Sequence, residues 1–278
     1  MAVMIFKTDG TQVAFDATKI RATLERIGSR PETASHVVDQ VVARIKDGMT
    51  TGQVYSLVRK MLRKEDRCAA HLYNLRKGLL KLGPAGFTFE KYVSSILEAY
   101  GYAAEVPRDE VTGLCVKHEV DVIAKRNSKT VMIEAKFRNR FEDTVTLKDA
   151  MSTWARYQDL RDGAKRKLCP AFNEVWIVTN GRFSDRAQQF SDCKGLRTVG
   201  WNSQEHSLAR MVDHQALYPI TVIDELKQWE LDAFAKTGLL LCRQIAEKSP
   251  SDIANRTGVP RDRADRIVRD CKEIVKTR

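Results

Sequence analysis

Two short stretches carry the residues best suited to chemistry, His118-Glu119-Val120-Asp121-Val122-Ile123 and Val131-Met132-Ile133-Glu134-Ala135-Lys136. Side chains two apart in a strand share a face. Glu134 and Lys136 therefore point one way, while Ile133 and Ala135 point the other. A turn at Asn127-Ser128 pairs this strand with the one holding Asp121, so two carboxylates converge beside one lysine. Such a set suits phosphodiester hydrolysis. The carboxylates hold Mg²⁺ (or Mn²⁺), which polarises a phosphate and acidifies bound water. The lysine places or deprotonates that water and offsets developing negative charge. A Glu-x-Lys on an amphipathic strand is also common as an ordinary solvated face, so the pattern gains weight only from the segments around it. Glu119 and His118 are expected to face solvent beside the site.

The surrounding periodicity predicts the elements that position these residues. Phe87 to Ala99 reads as a helix with Phe89, Tyr92, Val93, Ile96 and Leu97 inward. Strands follow at Tyr102–Val106, Cys115–Ala124 and Val131–Phe137. A helix is expected over 147–162, a buried strand over Glu174–Thr179, a helix from Asp185 to Phe190 and a strand from Arg197 to Trp201. A helix, three strands, then alternating helix and strand make an α/β unit with a mixed sheet. Before it, Val3–Phe6 and Val13–Phe15 flank Asp9-Gly10 as a hairpin, and four helices follow. Gly83-Pro84-Ala85-Gly86 breaks the pattern. Residues 218–278 are helical with Gly-centred turns. The expected division is 1–83, 84–202, a connecting segment 203–217, and 218–278.

The bulk numbers set the class. The chain has 278 residues, 43% hydrophobic and 30% charged, which is ordinary for a globular protein of two or three small domains. No apolar run reaches membrane-spanning length, and the N-terminus carries no signal-peptide pattern. The six cysteines are scattered without a C-x-x-C pair, which argues against a cysteine zinc site and against a disulfide framework. A reduced, cytoplasmic protein with no membrane partner is expected. The net charge of +11 suits a polyanionic partner such as DNA, although charge alone does not specify one.

The ordered segments of 84–202 resemble the PD-(D/E)xK nuclease superfamily, and within it the Mrr-like restriction endonucleases. The residues carrying the likeness are Gly86-Phe87-Thr88-Phe89-Glu90, Asp121-Val122-Ile123-Ala124, Glu134-Ala135-Lys136, and Thr179-Asn180-Gly181-Arg182-Phe183 followed by Ala187. The resemblance implies that Asp121 and Glu134 bind the metal with help from the Ala135 carbonyl. It also implies that Lys136 is catalytic and that Glu90 supports the site from the first helix. Val116-Lys117-His118-Glu119 stands where a Gly-rich stretch often precedes the aspartate.

Residues 3–82 resemble the ATP-cone, a nucleotide-sensing domain of ribonucleotide reductases and some regulators. The likeness rests on Ile5-Phe6-Lys7-Thr8-Asp9-Gly10, Phe15-Asp16-Ala17-Thr18-Lys19-Ile20 and Val54-Tyr55. It implies that ATP or dATP binds as a regulator. Lys7 and Lys19 would meet the phosphates, Asp16 would lie at the site, and Ile5, Ile20, Val54 and Tyr55 would sandwich the base. Thr8 replaces an arginine often found there. No G-x-x-x-x-G-K-[ST] loop is present, so hydrolysis of the nucleotide is not expected.

The repeats at Thr237-Gly238-Leu239 and Thr257-Gly258-Val259 resemble tandem helix-hairpin-helix motifs, which implies phosphate contacts through Gly238 and Gly258. Arg261, Arg263, Arg266 and Arg269 would track the DNA backbone. A helical bundle used for packing or dimerisation is the alternative. The fold class expected is thus multidomain α/β: a helical ATP-cone with a β-hairpin, a restriction-endonuclease-like core, and a small helical C-terminal domain. The expected activity is metal-dependent DNA cleavage under nucleotide control. Two copies would make a double-strand break most simply, so a homo-oligomer is expected. A nucleotide-responsive DNA-binding or regulatory protein with this fold but no cleavage remains the other reading.

Overall fold

In the computed structural model, which describes residues 3–82, 88–140 and 143–276, the elements run as follows. Strands β1 (Met4–Phe6) and β2 (Gln12–Ala14) form a hairpin. Helices α1 (Ala17–Arg26), α2 (Pro31–Val42), α3 (Thr51–Glu65), α4 (Arg67–Tyr73) and α5 (Leu75–Leu80) follow, then α6 (Phe89–Ala99). Next come β3 (Ala103–Glu105), β4 (Val111–Thr112), β5 (Lys117–His118), β6 (Val122–Arg126), β7 (Lys129–Lys136), β8 (Thr144–Val145) and α7 (Leu147–Lys165). The chain continues through β9 (Glu174–Thr179), β10 (Arg182–Phe183), α8 (Asp185–Lys194), β11 (Arg197–Val199) and α9 (Leu208–His214). It closes with α10 (Gln228–Lys236), α11 (Cys242–Ala246), α12 (Pro250–Thr257) and α13 (Arg261–Lys276). The architecture is mixed α/β. Among the described residues no helix is long and apolar enough to cross a membrane.

The contacts divide the chain into two units, Leu82–Gln215 and, separately, Met1–Lys81 with Ala216–Arg278. In the first, a five-stranded sheet has the order β11-β9-β7-β6-β3. Strands β6 and β7 are antiparallel, and β7, β9 and β11 are parallel. The β6–β7 hairpin turns at Asn127-Ser128, where Asn127 takes the left-handed φ of 54° that asparagine tolerates. One sheet face buries Ile123, Met132, Val175 and Ile177 against Ala150, Tyr157 and Leu160 of α7 and Ala187 of α8. On the other, Trp176, Val178 and Val199 meet Val93, Ile96 and Leu97 of α6 and Leu208 and Met211 of α9. Each fully buried side chain of this size contributes roughly 1.5–3 kcal/mol. Thr146 and Asp149 form a capping box that starts α7. The expected connecting segment 203–217 holds α9, whose Leu208, Ala209 and Val212 are buried.

The expected strand 115–124 is broken. β4 and β5 make their own small hairpin, and the β6–β7 ladder stops where Val122 lies opposite Ile133. Asp159 of α7 explains the first break. It accepts from the Cys115 N–H at 2.8 Å and lies 2.7 Å from Nε2 of His118, tying the hairpin to the helix. His118, expected to face solvent, is held inward by this contact. Burial opposes ionisation of Asp159, but the hydrogen bonds from His118, Cys115 and Val116 outweigh it and hold the carboxyl at about 2.

The second unit draws on both ends of the chain. Thr50 and Gln53 form a capping box at the start of α3. In place of the fourth and last helix expected before residue 83, two short helices, α4 and α5, meet at Asn74. Asn74 accepts from the Tyr55 hydroxyl at 2.6 Å and donates to the Val222 carbonyl at 2.9 Å. A buried amide must satisfy both ends, and these partners fix the corner. Gly78 of α5 lies so close to Val222 that an added Cβ would meet it at 3.1 Å. Arg59 pairs with Asp224, Arg63 with Glu225, and Arg67 with Asp270.

Candidate active site

The site forms where the apolar sheet face ends. Along β7, Met132, Glu134 and Lys136 share the face towards α7, and Ile123 extends it on β6. Asp121 stands one residue before β6, on the Ile123 side by strand alternation. Beyond Ile133 the edge of β7 has no partner strand from β6. Asp121 takes that place: its Oδ2 accepts from the Ala135 N–H at 2.7 Å. A residue's N–H and C=O point to the same side of a strand, so the Ala135 carbonyl also faces this edge. Asp121, Glu134 and Ala135 thus bring an all-oxygen donor set together, the kind that Mg²⁺ or Mn²⁺ prefers.

Glu134 is 3% exposed, and a buried carboxylate must be paired. Lys136 Nζ lies 2.5 Å from its Oε1. Its Oε2 pairs with Arg156 of α7. Asp121 is treated differently. Burial first, then the charge of Glu134, raise its carboxyl from 3.8 to about 6, against the Ala135 hydrogen bond and Lys136. Glu90, in the first turn of α6, adds to that rise through its charge. Two carboxylates crowded in a desolvated corner form a site that gains from added positive charge.

The segment leaving β7 is pinned by Thr179-Asn180-Gly181. Thr179 Oγ1 donates to the Lys136 carbonyl at 2.6 Å. Asn180 accepts from the Arg138 N–H at 2.7 Å and donates to the Arg138 carbonyl at 2.8 Å. A Cβ on Gly181 would sit 2.7 Å from the Asp143 carbonyl, so this position has room only for glycine. Gly86 and Phe87 of the first sequence segment lie outside the described residues. Thr88 caps α6 and Glu90 follows it.

The sequence reading missed Arg156. The available signal was its place on α7, three residues after Thr153 and four before Leu160, both inward positions. A charged residue on a buried stripe needs a partner.

The other proposed sites are less concentrated. Ile5, Ile20 and Val54 are buried, each 7% exposed. Lys7 and Lys19 are exposed, and Asp16 caps α1 by accepting from the Thr18 N–H at 2.9 Å. Tyr55 stacks on Tyr73 with ring centroids 5.2 Å apart, and Lys77 Nζ lies 4.0 Å from its ring centre. Gly238 and Gly258 take φ of 70° and 72° at helix ends, with open space where a Cβ would be. Arg261, Arg266 and Arg269 are exposed on α13; Arg266 and Arg269 also pair with Asp262 and Asp265. Arg263 departs from the expectation. It turns inward onto Glu230 at 2.8 Å, and that carboxylate is nearly fully buried, so Arg263 is a structural cation and not a phosphate contact.

Comparison with known proteins gives three family matches. Residues 3–74 match the ATP cone domain, 84–205 the restriction endonuclease family and 218–275 the AF1548-like C-terminal family. An uncharacterized protein of Archaeoglobus fulgidus is 29% identical over 184 residues, 66% of this chain and 99% of that protein. The crystal structure of the protein of unknown function AF1548 has a TM-score of 0.56 at 28% identity, covering 68% of this chain and 99% of that one. The MspJI restriction endonuclease in complex with a 27-mer oligonucleotide is more distant, with a TM-score of 0.32 and 14% identity over 85% of this chain and 48% of that one. The Asp121, Glu134 and Lys136 corner therefore lies in a domain of the restriction endonuclease family, in a chain that also carries an ATP cone domain and an AF1548-like C-terminal domain.

Proposed function

We propose that the chain is a metal-dependent DNA endonuclease whose output is set by ATP or dATP binding. The observation that supports this most is the meeting of Asp121 and Glu134 beside Lys136 at the open edge of β7. Asp121, Glu134 and the Ala135 carbonyl would hold Mg²⁺ or Mn²⁺. When bound, the ion would polarise the scissile phosphate and lower the pKa of a water. Lys136 orients the attacking water and offsets charge on the phosphate. Arg156 fixes the Glu134 carboxylate and adds positive potential beside it.

The remaining parts serve binding and control. Arg261, Arg266 and Arg269, with the turns at Gly238 and Gly258, contact DNA phosphates without reading sequence. Nucleotide phosphates meet Lys7 and Lys19, and the base lies by Ile5, Ile20, Val54 and Tyr55. Nucleotide binding alters cleavage by shifting self-association, with a coupling typically about 1–3 kcal/mol. The test is incubation with plasmid, linear and branched DNA, with Mg²⁺ or Mn²⁺, with and without ATP or dATP. Metal-dependent cleavage that changes with nucleotide is expected. Retarded DNA without cleavage under every condition would leave a nucleotide-responsive binding protein.

A further inference from the structure

The unit that joins the two ends of the chain contains a second cluster of donor atoms. His71 on α4 and Asp224 and Glu225, just before α10, each offer a ligand atom, and the three atoms lie within 4.8 Å of one another. The His71 side chain is 3% exposed. Its Nε2, Oδ1 of Asp224 and Oε2 of Glu225 are buried without a hydrogen-bond partner. The nearest acid beyond the trio, Asp270, is 4.0 Å from Nε2, too far for a hydrogen bond. One orphaned buried polar atom costs about 1–3 kcal/mol. Three on residues whose ligand atoms gather within 4.8 Å mark a place where something else completes the group.

The partners of the other oxygens are informative. Arg59 lies 2.5 Å from Oδ2 of Asp224, and Arg63 pairs with Oε1 of Glu225. Each carboxylate is thus held through one oxygen by a guanidinium while its other oxygen stays unpaired. Outer contacts of this kind orient metal-binding carboxylates.

We propose that His71, Asp224 and Glu225 bind one divalent transition-metal ion of the Zn²⁺ class. Three nearby arginines, Arg59, Arg63 and Arg67, already balance Asp224, Glu225 and Asp270. Net charge therefore offers an incoming cation little, and affinity comes from coordination by an imidazole and two oxygens. That selects Zn²⁺ over Mg²⁺. The ion ties α4 to the segment that leads into α10, so its effect is on stability.

The test keeps this site apart from the nuclease corner. The full chain carrying Asp121→Asn and Glu134→Gln is stripped with chelator and dialysed against Zn²⁺, and bound metal is measured by mass spectrometry. Binding of one ion per chain is expected, with a rise in Tm and visible d–d absorption when Co²⁺ replaces Zn²⁺. In the same background, Asp224→Asn and Glu225→Gln keep an acceptor for Arg59 and Arg63 and preserve the fold by circular dichroism. Each should weaken Zn²⁺ binding at least tenfold and lose the Tm rise. His71→Ala should remove the Co²⁺ band. No Zn²⁺ bound in the background variant, or binding unchanged in both Asp224→Asn and Glu225→Gln, would overturn the proposal.

Discussion

Oδ2 of Asp121 accepts a 2.7 Å hydrogen bond from the backbone N–H of Ala135, at the position where a neighbouring strand would otherwise have continued. The strand edge thereby aims the carboxylate at Glu134. If this corner cuts DNA, Asp121→Asn, Glu134→Gln and Lys136→Ala should each lower cleavage at least about a hundredfold. All three should keep the parent's circular dichroism. Parent-like rates from the triple variant would put the chemistry elsewhere.

The raised carboxyl of Asp121 makes a prediction for the metal-free protein. Its pKa rises on folding from 3.8 to about 6. Stability from the protonated form is full below about 4 and is lost as pH climbs through 6. Above that, the ionised group strains the fold. Asp121→Asn in chelator should therefore raise Tm at pH 8, by at most roughly 3 kcal/mol of stability for a two-unit shift. The gain should fade between pH 6 and 4. Thermal melts across pH would show it, and an equal Tm at pH 8 would mean that burial and the charge of Glu134 do not raise the Asp121 carboxyl.

If the corner is catalytic, Arg156 acts as its positioning residue by pairing with Glu134. Arg156→Ala leaves Glu134 buried with Lys136 as its remaining cation among the described residues. We expect kcat to fall about tenfold or more and metal dependence to shift to higher concentration. Arg156→Lys should recover part of both, since lysine restores the charge but not the fork. A loss confined to Tm, with cleavage kinetics unchanged, would make the pair structural only.

Arg261, Arg266 and Arg269 should carry DNA affinity without sequence preference. Replacing all three by alanine should reduce the slope of log affinity against log salt by about 0.9 per lost contact on duplex DNA. Arg263→Ala should instead lower Tm, because it strands the buried Glu230. Point variants are needed here. Residues 216–278 are part of the same compact unit as 1–81, so truncation would damage both. Unchanged salt dependence in the triple variant would assign α13 to packing.

Much of the site was legible because strand alternation is local. The two-residue period placed Glu134 with Lys136, and Asn127 marked the hairpin that brings Asp121 across. The Asp9-Gly10 hairpin was legible for the same reason, since β1 and β2 pair across it. What escaped were choices made by distant partners. Asp121 leaves the expected strand because Ala135 offers its N–H. The single helix expected near Leu75 splits because Asn74 bonds to Tyr55 and Val222. Arg263 and Arg266 look alike in sequence, yet Glu230 takes one of them inward. The donor cluster at His71 joins residues more than 150 positions apart in the chain, and no local spacing announces it.

The pairing of residues 1–81 with 216–278 in one unit sets an order of events during synthesis. The first helices leave the ribosome long before the segment that covers them. The unit Leu82–Gln215, contiguous in sequence, can fold as it emerges. The N-terminal helices lack these partners until then, with the groups that meet Val222, Asp224 and Glu225 still facing water. Closing that long loop is entropically slow. The unit that holds Asp121, Glu134 and Lys136 is thus assembled before the unit that matches the ATP cone domain, and the newborn chain passes through an interval in which the first is formed and the second is not.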